Sequence, residues 1–134
     1  MTAGEHTKEV EIRWSDLDGF AHVNHARFVT YFEEARDEWL DRATGSHGDA
    51  LGFVIRRIEV DFVSPLLLSD DRVRVTVRLE RVGTTSVSTI EEMHTAEEGR
   101  LVAGARCVMV YTGTAHERAT PIPELLRGRF EAKA

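Results

Sequence analysis

The part of this chain richest in chemical groups is residues 16–25, which carry Asp16, Asp18, Gly19, His22, Asn24 and His25. The stretch is polar and turn-like, and it runs straight into a patterned helix that starts near Asn24. A helix start offers unpaired backbone N–H groups and the positive end of the dipole. Such an end can hold a carboxylate ionised or stabilise an oxyanion. A carboxylate placed beside it can attack a carbonyl carbon or serve as base for a water molecule. Asp18 is the candidate for that carboxylate, although an aspartate before Gly19 is also an ordinary turn residue. Asp16 reads as a structural acceptor for loop N–H groups. His22 reads as a loop-fixing hydrogen bonder, and Asn24 as a helix N-cap or water ligand.

Other chemistries find less support. Asp16 and Asp18 resemble the start of a calcium loop, but Phe20 and Ala21 stand where that loop needs an oxygen ligand and a glycine. His22, His25 and Asp18 lack a third histidine at a supporting spacing, so no metal is expected. There is no Gly-x-Ser-x-Gly element and no phosphate-cradling glycine loop. The single cysteine, Cys107, sits in an apolar strand and reads as core, and with no second cysteine an intrachain disulfide cannot form.

The elements that must position these residues are legible from periodicity. Glu9 to Trp14 alternates, which predicts a half-buried strand with Val10, Ile12 and Trp14 inward. A helix is predicted from about Asn24 or His25 to Ala43. Phe28, Phe32, Ala35 and Trp39 form its stripe, widened by Val29, Leu40 and Ala43. Glycines 45 and 48 end it. Strands follow over 53–63, 72–82, 85–95 and 101–112, with a turn at Gly83 and a hairpin at 97–100. On the third of these strands Val87, Thr89, Glu91 and Met93 share one side. The expected organisation is one domain over residues 1–134, with a loose N-terminus (1–7) and an irregular C-terminal tail (113–134) in which Glu124 to Phe130 form a short terminal turn of helix. The fold class is α+β, with one helix stripe buried by one sheet. The sheet's open edges favour pairing with a second copy.

At this point a family resemblance enters. Trp14-Ser15-Asp16-Leu17-Asp18, then His22-Val23-Asn24, Arg27-Phe28 and Tyr31-Phe32-Glu33-Glu34-Ala35-Arg36, resemble the signature of the hot-dog-fold acyl-CoA thioesterases, in the 4-hydroxybenzoyl-CoA thioesterase family. Val60-Asp61-Phe62-Val63-Ser64-Pro65-Leu66 and Asp70-Asp71 are similar to that family's strand-and-turn region. The resemblance implies a hot-dog fold, in which one long central helix is wrapped by a curved antiparallel sheet of about five strands. It implies dimers or tetramers with the site at a subunit interface, and thioester hydrolysis without metal or redox cofactor. By motif position Asp18 matches the catalytic aspartate, and His25 matches the residue whose backbone N–H faces the thioester carbonyl. Two departures stand out: Ala21 where the family often has glycine, and His25 where it often has a second asparagine. Other subgroups of this fold carry a catalytic carboxylate on the helix, but Glu33 and Glu34 read here as a solvated or interface face.

The resulting expectation is a hydrolase acting on an acyl-CoA or an acyl group on a carrier protein, with coenzyme A present only as part of the substrate. The acyl slot is expected between helix and sheet, lined by Phe20, Phe28, Val29 and Phe62, with Ser64 near the thioester. The rivals are a hot-dog dehydratase or hydratase, and a non-catalytic acyl-thioester-binding module. A formal charge of −6 argues against a general nucleic-acid binder. No apolar run approaches the ~18 residues of a membrane span, and the N-terminus lacks a signal-peptide core, so the cytoplasm is the expected location.

Overall fold

The computed structural model describes residues 5–45, 48–115 and 117–132. Strand β1 (His6–Glu11) leads through a loop into helix α1 (His25–Ala43). Four strands follow: β2 (Phe53–Phe62), β3 (Arg72–Val82), β4 (Ser86–Thr95) and β5 (Leu101–Tyr111). A second helix, α2 (Glu124–Glu131), comes last. The strands form one antiparallel sheet in the order β1-β3-β4-β5-β2, so β1 and β2 are its edges. Register slips at Ile55/Arg57, Leu79/Arg81 and Met93/His94 mark bulges, which bend and coil strands locally.

The alternation on β3 predicts its buried face: Val73, Val75 and Val77 have no exposed surface. On β5 the inward residues Ala103, Cys107 and Met109 are buried, and α1 contributes Phe28, Phe32, Ala35 and Trp39 to the same core. Burial pushes the Cys107 thiol up to about 11, the Arg36 charge acting weakly against it.

Two expectations are corrected. Strand β1 occupies His6–Glu11, three residues earlier than the alternation suggests, and Trp14 stands 78% exposed instead of inward. The alternation continues through Trp14, but a 3₁₀ turn over Trp14–Asp16 takes the chain out of the sheet. Val29, expected to widen the helix stripe, is exposed. The turn of helix read at Glu124 to Phe130, within a tail otherwise read as irregular, is α2, whose Leu126 and Phe130 are buried. Phe130 stacks on Trp39 at 6.0 Å and meets Phe53 edge-on at 5.8 Å. The long α1 is therefore joined by a second helix at one end of the core.

Glu91 lies on the inner side of β4, as the alternation places it, and its charge is met there. Arg36 Nε donates to Glu91 Oε2 at 2.8 Å, Arg36 Nη2 to Oε1 at 2.9 Å, and Thr89 Oγ1 to Oε2 at 2.7 Å. Both charged side chains are essentially inaccessible. Desolvation opposes the Arg36 charge, and the bond and charge of Glu91 more than restore it, leaving its pKa raised. Removing one partner strands the other. Glu91→Ala is therefore expected to cost about 3–5 kcal/mol in urea unfolding, whereas Arg36→Met combined with Glu91→Leu costs less than the single change.

Candidate active site

Asp16 builds the loop before the helix. It is 3% exposed, and its Oδ2 accepts the Tyr31 hydroxyl at 2.6 Å and the Arg13 N–H at 3.1 Å. Arg27 Nε stands 3.6 Å from Oδ1, and the Asp16 carbonyl accepts the Asn24 N–H at 2.9 Å. One residue thus fastens the loop's entry, its exit and the second turn of α1, which is the acceptor role read from the sequence. Burial, and then the hydrogen bond to the Asp16 carboxylate, raise the Tyr31 phenol above its usual range.

Asp18 closes the next turn. Its Oδ1 accepts the Phe20 N–H at 2.8 Å and the His22 N–H at 3.3 Å. Its own N–H donates to the His22 carbonyl at 2.7 Å, and its carbonyl accepts the Ala21 N–H at 3.2 Å. So tight a turn puts Ala21 at φ +63°, in the left-handed region. This gives a physical meaning to the first departure noted above, since glycine adopts that conformation at no steric cost. Val23 N–H then donates to the Leu66 carbonyl at 2.8 Å, tying the loop to the segment after β2.

At the helix start, Asn24 is the N-cap. It has an extended backbone (φ −61°, ψ 133°), and its side-chain oxygen accepts the Ala26 N–H at 2.9 Å. Its carbonyl accepts the Arg27 N–H at 2.8 Å. Among the described residues, no acceptor takes the His25 N–H, so the first amide of the helix stays available. The His25 ring meets Phe62 edge-on at 6.1 Å, and Phe28 meets Phe62 at 5.3 Å.

These groups converge on a cleft of about 290 Å³. Asp18, His22 and His25 supply its polar wall, and Phe28, Phe62 and Ser64 face them. Val23, Val63 and Pro65 complete the lining. Two of the residues expected in the slot are elsewhere. Phe20 is 82% exposed, at the tip of the turn that Asp18 closes, and Val29 is turned about 100° around the helix from Phe28. Neither lines the cleft. Asn24 serves as cap, not as lining. Among the described residues, no group of three or more His, Cys, Asp or Glu side chains is arranged to hold a metal ion.

Sequence reasoning missed Arg100. Its Nη1 donates to Ser64 Oγ at 2.7 Å and to the Pro65 carbonyl at 3.0 Å, while Nη2 spans both oxygens of Asp70 at 3.1 Å. Ser64 Oγ in turn donates to the Leu101 carbonyl at 3.1 Å. Arg100 thus clamps the wall that carries Ser64. An arginine after a Glu-Glu-Gly turn reads as surface, and its partners lie about thirty residues away in sequence, so no local signal pointed to it.

Residues 12–130 match the family model of the thioesterase-like superfamily. The chain belongs to the thioesterase-like superfamily. Long-chain acyl-CoA thioesterase FadM of Escherichia coli (strain K12) is 26% identical over 126 residues, covering 92% of this chain and 95% of the relative. Among solved structures, a thioesterase from Thermus thermophilus complexed with coenzyme A and Zn is 32% identical with a TM-score of 0.84. The match covers 98% of this chain and 93% of that one. A predicted thioesterase from Bacillus stearothermophilus is 30% identical with a TM-score of 0.85, over 97% and 96% of the two chains.

Two measurements probe how this superfamily member holds its loop. Ala21→Gly is expected to gain about 0.5–1 kcal/mol in urea unfolding by relieving the left-handed alanine. The phenol of Tyr31 is held neutral in the folded state, so its contribution is intact below the unfolded value of about 10 and is lost as pH rises through the higher folded value. Wild-type stability is therefore expected to fall above about pH 10, and Tyr31→Phe, which lacks the phenol, is expected to remove that component of the fall.

Proposed function

We propose that this protein is an acyl-CoA thioesterase in which Asp18 acts on the thioester carbonyl and the backbone N–H at the start of α1 polarises it. Thioester hydrolysis as a class goes with the superfamily. The reading of the site rests on one observation above all. The Asp18 carboxylate, held at Oδ1 by two loop amides, lines the same cleft as His25, whose amide has no acceptor among the described residues. The two amide bonds orient the carboxylate and leave Oδ2 for the reaction. It attacks the thioester carbonyl to form an anhydride, which water then opens, or it takes a proton from a water that attacks instead. In either route the oxyanion meets the His25 N–H and the helix dipole, and the sulfur departs as thiolate, taking its proton from Asp18 in the general-base route and from water in the anhydride route. The second departure from the family signature, histidine at position 25, leaves this role intact, because any residue except proline supplies the amide. His22 contributes its backbone to the Asp18 turn, and its ring stands at the cleft wall.

The acyl group enters against Phe28 and Phe62, and coenzyme A or a carrier protein supplies the thiol half. We further read the chain as one hot-dog domain in which α1 is the central helix, working in the cytoplasm without metal or redox cofactor. The working unit is a homo-oligomer, dimer or tetramer. Exposed apolar side chains beside the cleft support this, since Phe62, Val63 and Leu67 are each at least 40% accessible in one protomer.

Thiol release from a panel of aliphatic and aromatic acyl-CoAs tests the assignment. Wild type is expected to turn over at least one of them. Asp18→Asn is expected to lose ~100-fold or more, and His25→Ala, which keeps the amide, to stay within a few-fold of wild type. Turnover undiminished in Asp18→Asn would move the site elsewhere. Binding without thiol release by wild type would favour an acyl-thioester-binding module.

A further inference from the structure

Ser64 stands in the wall of the cleft, and its neighbours decide which way its hydroxyl points. A serine hydroxyl carries one proton and two lone pairs, and it ordinarily rotates to suit its surroundings. Here it has no such choice. The Leu101 carbonyl can only accept, so the Ser64 proton is directed to it, at 3.1 Å. The Arg100 guanidinium can only donate, and at 2.7 Å it occupies one lone pair of Ser64 Oγ. One lone pair is left. Toward anything in the cleft, Ser64 is therefore an acceptor and not a donor.

Two roles are excluded by this arrangement. A hydroxyl whose proton is tied to a carbonyl has no base to take it, so Ser64 is not a nucleophile. An acceptor repels a developing oxyanion, so Ser64 does not help to polarise the thioester carbonyl. What it can hold is a donor. Hydrolysis brings one small donor to the reacting carbon, the water that attacks. That water has two protons, and a base at Asp18 takes one of them. The other needs an acceptor elsewhere in the lining.

Arg100 fixes where that acceptor stands. Its N–H donates to Thr95 Oγ1 at 3.0 Å and its carbonyl accepts the Thr95 N–H at 2.9 Å, which pins its backbone. Nη2 spans both oxygens of Asp70, so the guanidinium charge is met within the wall and is not left for an anion. Asp70 Oδ2 also accepts the Leu67 N–H at 2.9 Å. Leu67 in turn bridges to His22, and the Leu66 carbonyl takes the Val23 N–H. The wall that carries Ser64 is thus laced to the turn that Asp18 closes. Both side chains line one cleft of about 290 Å³, where a water's share of liquid volume is about 30 Å³.

We propose that Ser64 Oγ binds the water that hydrolyses the substrate, and that Arg100 is the positioning residue that aims it. The proposal rests on the thioesterase reading of the cleft. In the general-base route the water oxygen bonds to the carbonyl carbon while one of its protons passes to Asp18. The other proton stays on that oxygen, hydrogen-bonded to Ser64, and leaves with the carboxylic acid. The C–S bond breaks, and the thiolate takes the proton from Asp18. In the anhydride route Ser64 holds the water that opens the anhydride. Ser64 keeps its own proton throughout.

The test is steady-state hydrolysis of an acyl-CoA by wild type, Ser64→Ala, Ser64→Thr and Arg100→Lys, with thermal melts of each. Ser64→Ala is expected to lower kcat about tenfold, the worth of one hydrogen bond, with KM unchanged. Ser64→Thr, which keeps the hydroxyl, is expected to stay within a few-fold of wild type. Ser64→Cys, with a weak acceptor in that place, reads the same loss of kcat if Ser64→Ala does not fold. Arg100→Lys keeps a charge beside Asp70 but loses the fork. It is expected to lower kcat alone, and to cost no further kcat when added to Ser64→Ala. Losses that simply multiply overturn the positioning role of Arg100. An unchanged kcat in Ser64→Ala, or a raised KM with kcat intact, overturns the water assignment and leaves the thioesterase reading standing. If wild type releases no thiol from any acyl-CoA, the thioesterase reading fails and the water assignment fails with it.

Discussion

The candidate site depends on a buried carboxylate that does no chemistry. Asp16 is taken almost wholly out of water, a change that costs several kcal/mol unless the charge is hydrogen-bonded. Its bonds come from Tyr31 on the helix and Arg13 at the loop entry, with Arg27 nearby. Those partners exist together only when the loop is folded against the second turn of α1. The cost of burying Asp16 therefore falls on every other arrangement of the loop. With the loop fixed, the turn at Asp18 and the helix start at His25 are placed by short covalent tethers of a few residues each. Precision at the reacting groups comes from a neighbouring residue that has no freedom left.

A second buried polar contact acts on the other half of the helix. Arg36 and Glu91 join α1 to the middle of β4 through two parallel bonds, a geometry that tolerates little rotation or sliding. Apolar packing alone is permissive about such displacements, because leucine- and valine-like surfaces can repack at modest cost. Tyr31 and Arg36 are five residues apart on α1, and one anchors the helix to the loop while the other anchors it to the sheet. The helix start is thereby held in register with the strand ends that form the far wall of the cleft.

Much of this was readable in the sequence. The strict alternation of Val73, Val75 and Val77 marked an inner face because side chains on a strand can only alternate. The run from Asp16 to Asn24 marked a loop feeding a helix, and Asn24 caps it as read. What was hidden depended on distant partners. Alternation carried Trp14 inward on paper, but Asp16 pulls the chain into a turn before Trp14 can join the sheet. Glu91 fell on the apolar side of β4, and nothing local showed that Arg36 would neutralise it. Arg100 and Asp70 meet only because the hairpin before β5 converges with a 3₁₀ turn at Leu68–Asp70. Helix α2 was readable as a short turn at Glu124 to Phe130, but the packing of Phe130 on Trp39 and Phe53 that holds it depends on residues far away in sequence.

The buried cysteine has a consequence for a protein proposed to liberate thiols. Each turnover would release a free sulfhydryl beside the protein surface, and free sulfhydryls readily become disulfides that exchange with protein thiolates. Exchange requires a thiolate that solvent can reach. With Cys107 wholly inside the sheet–helix core and its thiol pushed up to about 11, only about one molecule in ten thousand would carry a thiolate at neutral pH. The folded protein is thus insulated from mixed-disulfide trapping by its own product, a form of chemical self-protection that follows from packing alone.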